Sequence, residues 1–168
     1  MKFHIHFCLL VPILLIGHSE IKAQNDSYWL GMGLGGGPQG LVFTGNGSYQ
    51  SGNMILSLRY SATGQLFGDE YWDLGFLIGV ANNNPHIHLS ASAGLSTVGG
   101  TRFSENEGFL SSNPVKYHPI LGLPIEAQLF FNPDIRFGIG FYGLLNVNKH
   151  KTFGGVSVTF RIGRIYNG

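Results

Sequence analysis

Five charged residues fall within stretches of the sequence that alternate between apolar and small polar residues. They are Arg59, Asp73, Glu126, Arg136 and Arg161. Side chains of a β-strand alternate between its two faces, and each of these charges falls on the polar face of its stretch. Charges of both signs on one face of small residues can neutralise each other where little water enters. The five residues are therefore predicted to form an interior charge network. Arg59 is expected opposite Asp73 across a hairpin centred near residue 66, and Arg136 is expected across from Gln128.

No residue pattern indicates a cofactor or a metal. The run Gly31-Met-Gly-Leu-Gly-Gly36 matches a dinucleotide-binding fingerprint, but its glycines alternate with apolar residues and no helix is predicted after it. His86 and His88 share a strand face and could bind one metal ion, yet the sequence supplies no third ligand. We expect these histidines to be polar side chains at one mouth of a barrel.

Eight stretches of period-2 alternation predict the strands that position these residues. In residues 134–148, for example, Ile135, Phe137 and Ile139 share one face, while Arg136 and Gly138 share the other. The predicted strands are residues 28–36, about 40–49, 53–61, 71–81, 86–98, 118–131, 134–148 and 155–164. This number suits a single antiparallel up-and-down barrel, whose interior is just wide enough for side chains.

Composition indicates that the apolar face is the outer one. Only 11% of residues are charged, against roughly 25% in ordinary soluble domains, and the chain holds 26 glycines. The polar face carries mostly Gly, Ser, Thr and Asn, whereas the exposed surface of a water-soluble protein carries many charged residues. The sequence therefore predicts an eight-stranded transmembrane β-barrel with its apolar face toward lipid. A net charge of +1 gives no reason to expect nucleic acid as a partner.

Residues 1–23 have the layout of a secretory signal peptide. Lys2 precedes an apolar run from Phe7 to Gly17, and Ala23 occupies the last position before a predicted cleavage site. The apolar run is shorter than the roughly 20 residues that a spanning helix needs. Residues 24–168 then form the barrel domain.

The predicted connections set an orientation. Those at residues 50–53, 82–85 and 132–134 are short and rich in turn formers, and they alternate with longer ones at 63–70 and 100–116. Short periplasmic turns and longer external loops are typical of bacterial outer-membrane barrels. We expect both termini in the periplasm and the loop 100–116 at the cell surface, where it could contact a ligand or a protein.

Together, the signal peptide, the alternating segments and the short Asn-, Pro- and Gly-containing turns resemble the small outer-membrane β-barrel proteins of Gram-negative bacteria, OmpA/OmpX-like in size. This resemblance implies location in the outer membrane, contact with its lipid, and a monomer. Barrels of this family usually end in an aromatic residue that is recognised during assembly. Here the chain ends Arg164-Ile-Tyr-Asn-Gly168, so Tyr166 is the candidate for that role.

Two functional hypotheses follow. The first is a non-enzymatic barrel with a filled lumen, acting as envelope scaffold or as a surface binding module through loop 100–116. The alternative is a lipid-modifying barrel enzyme of the lipid A acyl hydrolase or transferase type. Lipid A deacylases carry an adjacent His-Ser pair, and the one such pair here, His18-Ser19, lies in the predicted signal peptide. The histidines His118 and His150 show no triad spacing with a serine and a carboxylate.

Signal-peptide removal gives the first testable prediction. Mass spectrometry of the protein purified from membranes should find an N-terminus at or next to Gln24, because cleavage is expected after Ala23. Replacing Ala23 with a bulky residue should block this cleavage, and replacing Ser27 should leave it unchanged. Recovery of an intact Met1 N-terminus from the outer membrane would contradict the prediction.

Overall fold

A computed structural model describes residues 26–65, 69–82, 84–102 and 115–165, with the backbone alone at residues 102 and 115. The predicted signal peptide, Tyr166 and most of the predicted loop 100–116 lie outside the described residues. Within the described ranges, no helix is long and apolar enough to cross a membrane.

The described residues form eight strands in one closed antiparallel barrel, in which every strand pairs with its neighbours in sequence and β1 pairs with β8. The strands are β1 (Asp26–Gly37), β2 (Gly40–Ser51), β3 (Met54–Gly64), β4 (Glu70–Ala81), β5 (Ile87–Arg102), β6 (Val115–Phe131), β7 (Phe137–Asn148) and β8 (Phe153–Arg164). The predicted eight-stranded barrel is confirmed.

The barrel has two distinct ends. Strands β2, β4 and β6 lead into connections 52–53, 82–86 and 132–136, and we call this the turn end. The opposite end, where β1, β3, β5 and β7 finish, is called the loop end. At the turn end Gly52 has a φ of 57° and, with Asn53, closes the hairpin between the paired residues Ser51 and Met54. A two-residue hairpin needs this positive φ, which glycine adopts without strain.

The side chains are arranged with polar residues inside and apolar residues outside. Leu30 and Phe76, for example, are 66% and 59% exposed on the outer wall, whereas inward Ser57 and Thr159 are buried. Leu144 is an exception to this arrangement, because it is apolar and yet points inward. There it packs with Val42 and Tyr142. The barrel is therefore filled by side chains, most of them polar.

The long connection is shorter than predicted. Gly100 and Thr101 remain paired with β4, and Lys116 pairs with Thr101 across the β5–β6 hairpin. These residues are strand, so the expected loop 100–116 is corrected to a connection of residues 103–114. The alternation weakens around Val98–Gly100 because a β-bulge shifts the register there.

Strand β6 is longer than its neighbour β7, and this leaves part of one edge without a partner strand. Pairing with β7 starts at Gly122 opposite Asn148, so residues 115–121 pair only with β5 among the described residues. That segment contains Lys116 and Pro119. Further along β6, Pro124 has no backbone N–H to donate. Between the pairs Ala93–Ile125 and Ser96–Gly122, β5 and β6 are not paired.

Aromatic side chains lie near both ends of the outer wall. Tyr28 pairs with Tyr49 close to the turn end, where Phe131 is also exposed, while Tyr60 and Trp72 lie toward the loop end. This distribution suits the interfaces of a bilayer, where Tyr and Trp are enriched. A separation of about 25 Å between two aromatic bands stays a prediction.

A charge on the outer wall tests whether that wall contacts lipid. Phe76 lies midway along β4 and points outward, so Phe76→Arg should lower the free energy of unfolding by about 2–4 kcal/mol. The measurement is urea titration of the barrel folded into lipid vesicles. Ile135→Arg is the matched control, because Ile135 is exposed in the turn 132–136 and should tolerate the charge. Equal effects of the two substitutions would contradict a lipid-facing wall.

Candidate functional site in the barrel interior and at the loop end

Four of the five charged residues selected from the sequence point into the barrel. Arg59, Asp73 and Arg161 are completely buried, and Glu126 is 2% exposed. The fifth, Arg136, is exposed. The four buried charges divide between two clusters at different heights.

The central charge cluster consists of Arg59, Asp73, Glu126, Tyr142 and Asn146. Arg59 Nη2 forms an ion pair with Asp73 Oδ2. The Asp73 carboxylate also accepts hydrogen bonds from the Ser61 hydroxyl and from Asn146 Nδ2. A carboxylate with this many donors is well compensated even though it is buried.

The expected hairpin register is wrong by one residue pair. Arg59 was predicted directly opposite Asp73, but Asp73 pairs with Ser61 and Arg59 pairs with Gly75. The β3–β4 hairpin is therefore centred near residue 67 rather than 66. Contact survives because the long arginine side chain reaches the diagonal neighbour, which a shorter side chain could not do.

Glu126 is held by neutral donors. Its carboxylate accepts hydrogen bonds from the Tyr142 hydroxyl and from Gln128 Nε2, the latter at 2.9 Å. Arg59 Nη1 lies 3.4 Å from the Ile125 carbonyl oxygen on the same strand. Tyr142 and Asn146 were not selected from the sequence, although both fall on the polar face of their strand. Their uncharged side chains gave no signal that they complete the cluster.

Arg136 is not part of the interior, and the expectation for this residue is corrected. Strand β7 begins at Phe137, and Arg136 lies in the preceding turn, where its backbone N–H donates to Asp134 Oδ1 at 2.8 Å. Gln128, which Arg136 was expected to face, pairs with Tyr142. Period-2 alternation continues into the turn, so the pattern alone does not mark the beginning of the strand.

Arg161 belongs to a second group, the turn-end cluster of Trp29, His88, Phe130, Asn132 and Arg161. Its guanidinium carbon lies 4.6 Å from the Trp29 ring centre and 4.3 Å from that of Phe130. Nη2 donates to Asn132 Oδ1 at 2.8 Å. Room for this side chain comes from Gly138, where a Cβ would lie 2.9 Å from Arg161 Nε.

The two histidines considered as metal ligands separate. His88 is buried, and its Nε2 lies 3.0 Å from Gln50 Oε1. His86 is exposed in the turn, where its backbone N–H donates to Asn84 Oδ1. Among the described residues, no three His, Cys, Asp or Glu side chains lie together in a way that could hold a metal ion.

A third group, the loop-end stack, lies at the loop end of the barrel. It consists of Tyr71, Tyr117, His150, Lys151 and Phe153. Tyr71 stacks on Tyr117 and Phe153 with ring centres 6.2 and 5.8 Å away, and Tyr117 stacks on His150 at 4.7 Å. Lys151 Nζ lies 5.4 Å from the Tyr71 ring centre, a cation–π contact. Sequence analysis missed this group because its members come from three separate segments.

Comparison with known proteins identifies the fold. No family model matches the sequence, and neither does any curated protein. The chain is similar in structure to Neisserial surface protein A, NspA, with a TM-score of 0.60, 10% identity, and 82% of this chain and 95% of that one covered. It is also similar to the N-terminal β-barrel domain of Pseudomonas aeruginosa OprF, with a TM-score of 0.55, 12% identity, and coverage of 83% and 97%.

A third similar structure is Ail, the attachment invasion locus protein of Yersinia pestis, in complex with the heparin analogue sucrose octasulfate. Its TM-score is 0.54 at 14% identity, and 83% of this chain and 97% of that one are covered. The closed barrel, its apolar wall and these likenesses define the class: an eight-stranded transmembrane β-barrel. The fold is that of the small outer-membrane barrels, as the sequence resemblance implied.

Removing one member of the central charge cluster should destabilise the barrel. Asp73→Ala leaves Arg59 buried without its partner, and we expect a loss of about 3–5 kcal/mol in the free energy of unfolding. Glu70→Ala, at an exposed position of the same strand, should change it by less than about 0.5 kcal/mol.

The double variant Arg59→Met with Asp73→Ala separates pairing from packing. It should recover much of the loss, because the Arg59 charge that Asp73→Ala leaves without its partner is removed as well. Additive losses in urea titrations of the single and double variants would show that the two side chains are not energetically coupled.

Proposed function

We propose that this protein is a non-enzymatic outer-membrane barrel whose loop end binds an anionic saccharide at the cell surface. The observation that carries the proposal is the loop-end stack, which holds aromatic rings and a lysine together at one mouth of the barrel. The filled interior supports the role of the barrel as a scaffold, since side chains occupy its central and turn-end sections.

The stack has the features of a saccharide platform. Tyr71 and Phe153 are buried, so they fix the position of Tyr117, which is partly exposed, and of His150, which is exposed. Flat rings offer a sugar an apolar face at little conformational cost, since an aromatic side chain has few rotatable bonds. Strands β4, β6 and β8 carry three of the four rings, so the platform is anchored in the barrel wall.

Charge around the stack favours an anionic ligand. Lys116, Lys149 and Lys151 are exposed at the loop end, and the exposed histidines His118 and His150 lie near them in the sequence. Arg102 and these three lysines are matched in number by Asp69, Glu70, Glu105 and Glu107 in the sequence of this end, so the case for an anion rests on the lysine that lies over the Tyr71 ring and not on a net charge. Ammonium groups attract sulfate and phosphate oxygens through charge-assisted hydrogen bonds.

The structure of Ail in complex with a sulfated sugar gives this proposal a chemical probe. We use Ail only to choose the class of ligand to test. The position of the proposed site comes from the loop-end stack of this chain. Under the proposal, the loop end faces the exterior, and the termini and the short turns face the periplasm.

Binding of sucrose octasulfate tests the proposal. Isothermal titration of the barrel in detergent should detect binding that weakens as salt is added, because added ions screen exposed charges. Combined replacement of Lys116, Lys149 and Lys151 by Gln should weaken binding about tenfold or more, and uncharged sucrose should bind far less.

The matched control removes positive charge from the other end. Arg136→Gln with Arg164→Gln should leave binding of sucrose octasulfate unchanged, since both residues are exposed near the turn end. Equal weakening by the two sets of variants would indicate nonspecific charge attraction and contradict a site at the loop end. Release of fatty acid when the barrel is incubated with phospholipid vesicles or lipid A would instead support the lipid-modifying alternative.

A further inference from the structure

The turn-end cluster contains a buried positive charge that no acidic residue in the described ranges neutralises. Arg161 is completely buried, and its hydrogen bond in the described structure goes to the neutral Asn132 amide oxygen. The buried carboxylate of Asp73 is paired with Arg59, and that of Glu126 is bonded to Tyr142 and Gln128. An unpaired buried charge is strongly destabilising, so an arginine in this position calls for a counter-charge.

Hydrogen-bond donors exceed acceptors in the same cluster. Arg161 Nε, Arg161 Nη1 and Trp29 Nε1 are buried donors with no hydrogen-bond partner among the described residues. In the same cluster His88 Nδ1 is also buried without a partner, so three donor atoms face at most one free acceptor. The guanidinium lies over the Trp29 ring, so these N–H groups belong to one small region. Buried N–H groups are nearly always hydrogen-bonded in native proteins.

We propose that the turn-end cluster is a binding site for one small monovalent anion of the halide class. The anion would accept hydrogen bonds from the free N–H groups of Arg161 and neutralise the charge that the barrel itself leaves unpaired. This site goes beyond the proposed saccharide platform, which lies at the opposite end of the barrel, and neither depends on the other.

The surroundings favour a small and weakly hydrated anion. Trp29 and Phe130 lie against the guanidinium, so aromatic rings form part of the wall of the site. A sulfate or phosphate group would add a second charge that nothing in the cluster balances. Chloride or bromide carries one charge and loses its water at lower cost than fluoride, which matters in a site walled by aromatic rings.

The turn-end cluster lies within a few residues of the turn 132–136. Arg161 pairs with Gly138, the second residue of β7, and Asn132 lies at the start of the turn 132–136. His88 is the second residue of β5. The cluster therefore lies between the turn end and the central charge cluster.

Bromide quenching of Trp29 fluorescence tests the site. The chain has two tryptophans, so Trp72→Phe leaves Trp29 as the reporter. The folded barrel is titrated with sodium bromide against sodium gluconate at constant ionic strength. Because bromide quenches indole on contact, we expect quenching that saturates, with at least about tenfold weaker binding in the Arg161→Gln variant.

Arg136→Gln is the matched control, because it removes an exposed arginine near the same end. It should leave the saturation unchanged. Quenching that stays linear with bromide concentration, or that is the same with and without Arg161, would overturn the proposal.

A measurement without substitution covers the case in which Arg161→Gln does not fold. Crystals of the unsubstituted protein soaked in bromide should give an anomalous scattering peak within hydrogen-bond distance of Arg161 Nε or Nη1. Water alone at these atoms, with no bromide signal in the cluster, would also overturn the proposal.

Discussion

Backbone hydrogen bonding in lipid is the constraint on which this structure depends. No water is available in the hydrocarbon region, so every backbone N–H and C=O group there must find a partner within the protein. The pairing of β1 with β8 achieves this by closing the sheet. Closure directs one face of every strand to lipid and the other to a narrow lumen, which explains why apolar side chains cover the outside and polar side chains fill the inside.

The narrow lumen in turn imposes strict conditions on charge. Arg59 and Asp73 meet these conditions by pairing, and Glu126 does so with neutral donors. Each arrangement combines residues from several strands, so the interior ties together parts of the barrel that backbone pairing does not connect. Arg161 follows a different pattern, since aromatic rings stabilise its guanidinium without neutralising it.

The alternation of the sequence was sufficient to predict the strands and the inward direction of Arg59, Asp73, Glu126 and Arg161. It was insufficient for Arg136, because alternation does not stop where a strand stops and a turn begins. The one-pair error in the β3–β4 register arose because the sequence of residues 65–69 matches no turn type of defined length. Tyr142, Asn146 and the loop-end stack were missed since their contacts join distant segments, and only the closed barrel brings those segments together.

The unequal lengths of β6 and β7 have a consequence for self-association. Residues 115–121 present backbone groups on the side where β7 has ended, and an open sheet edge can recruit a strand from another molecule. Natural sheets discourage such edge-to-edge pairing with proline, which has no N–H to donate, and with lysine, whose charge resists burial between chains. Pro119 and Lys116 both lie in this segment, and the bulge beside it distorts the edge further. Among the described residues, β6 thus carries its own protection against aggregation where it extends beyond the end of β7.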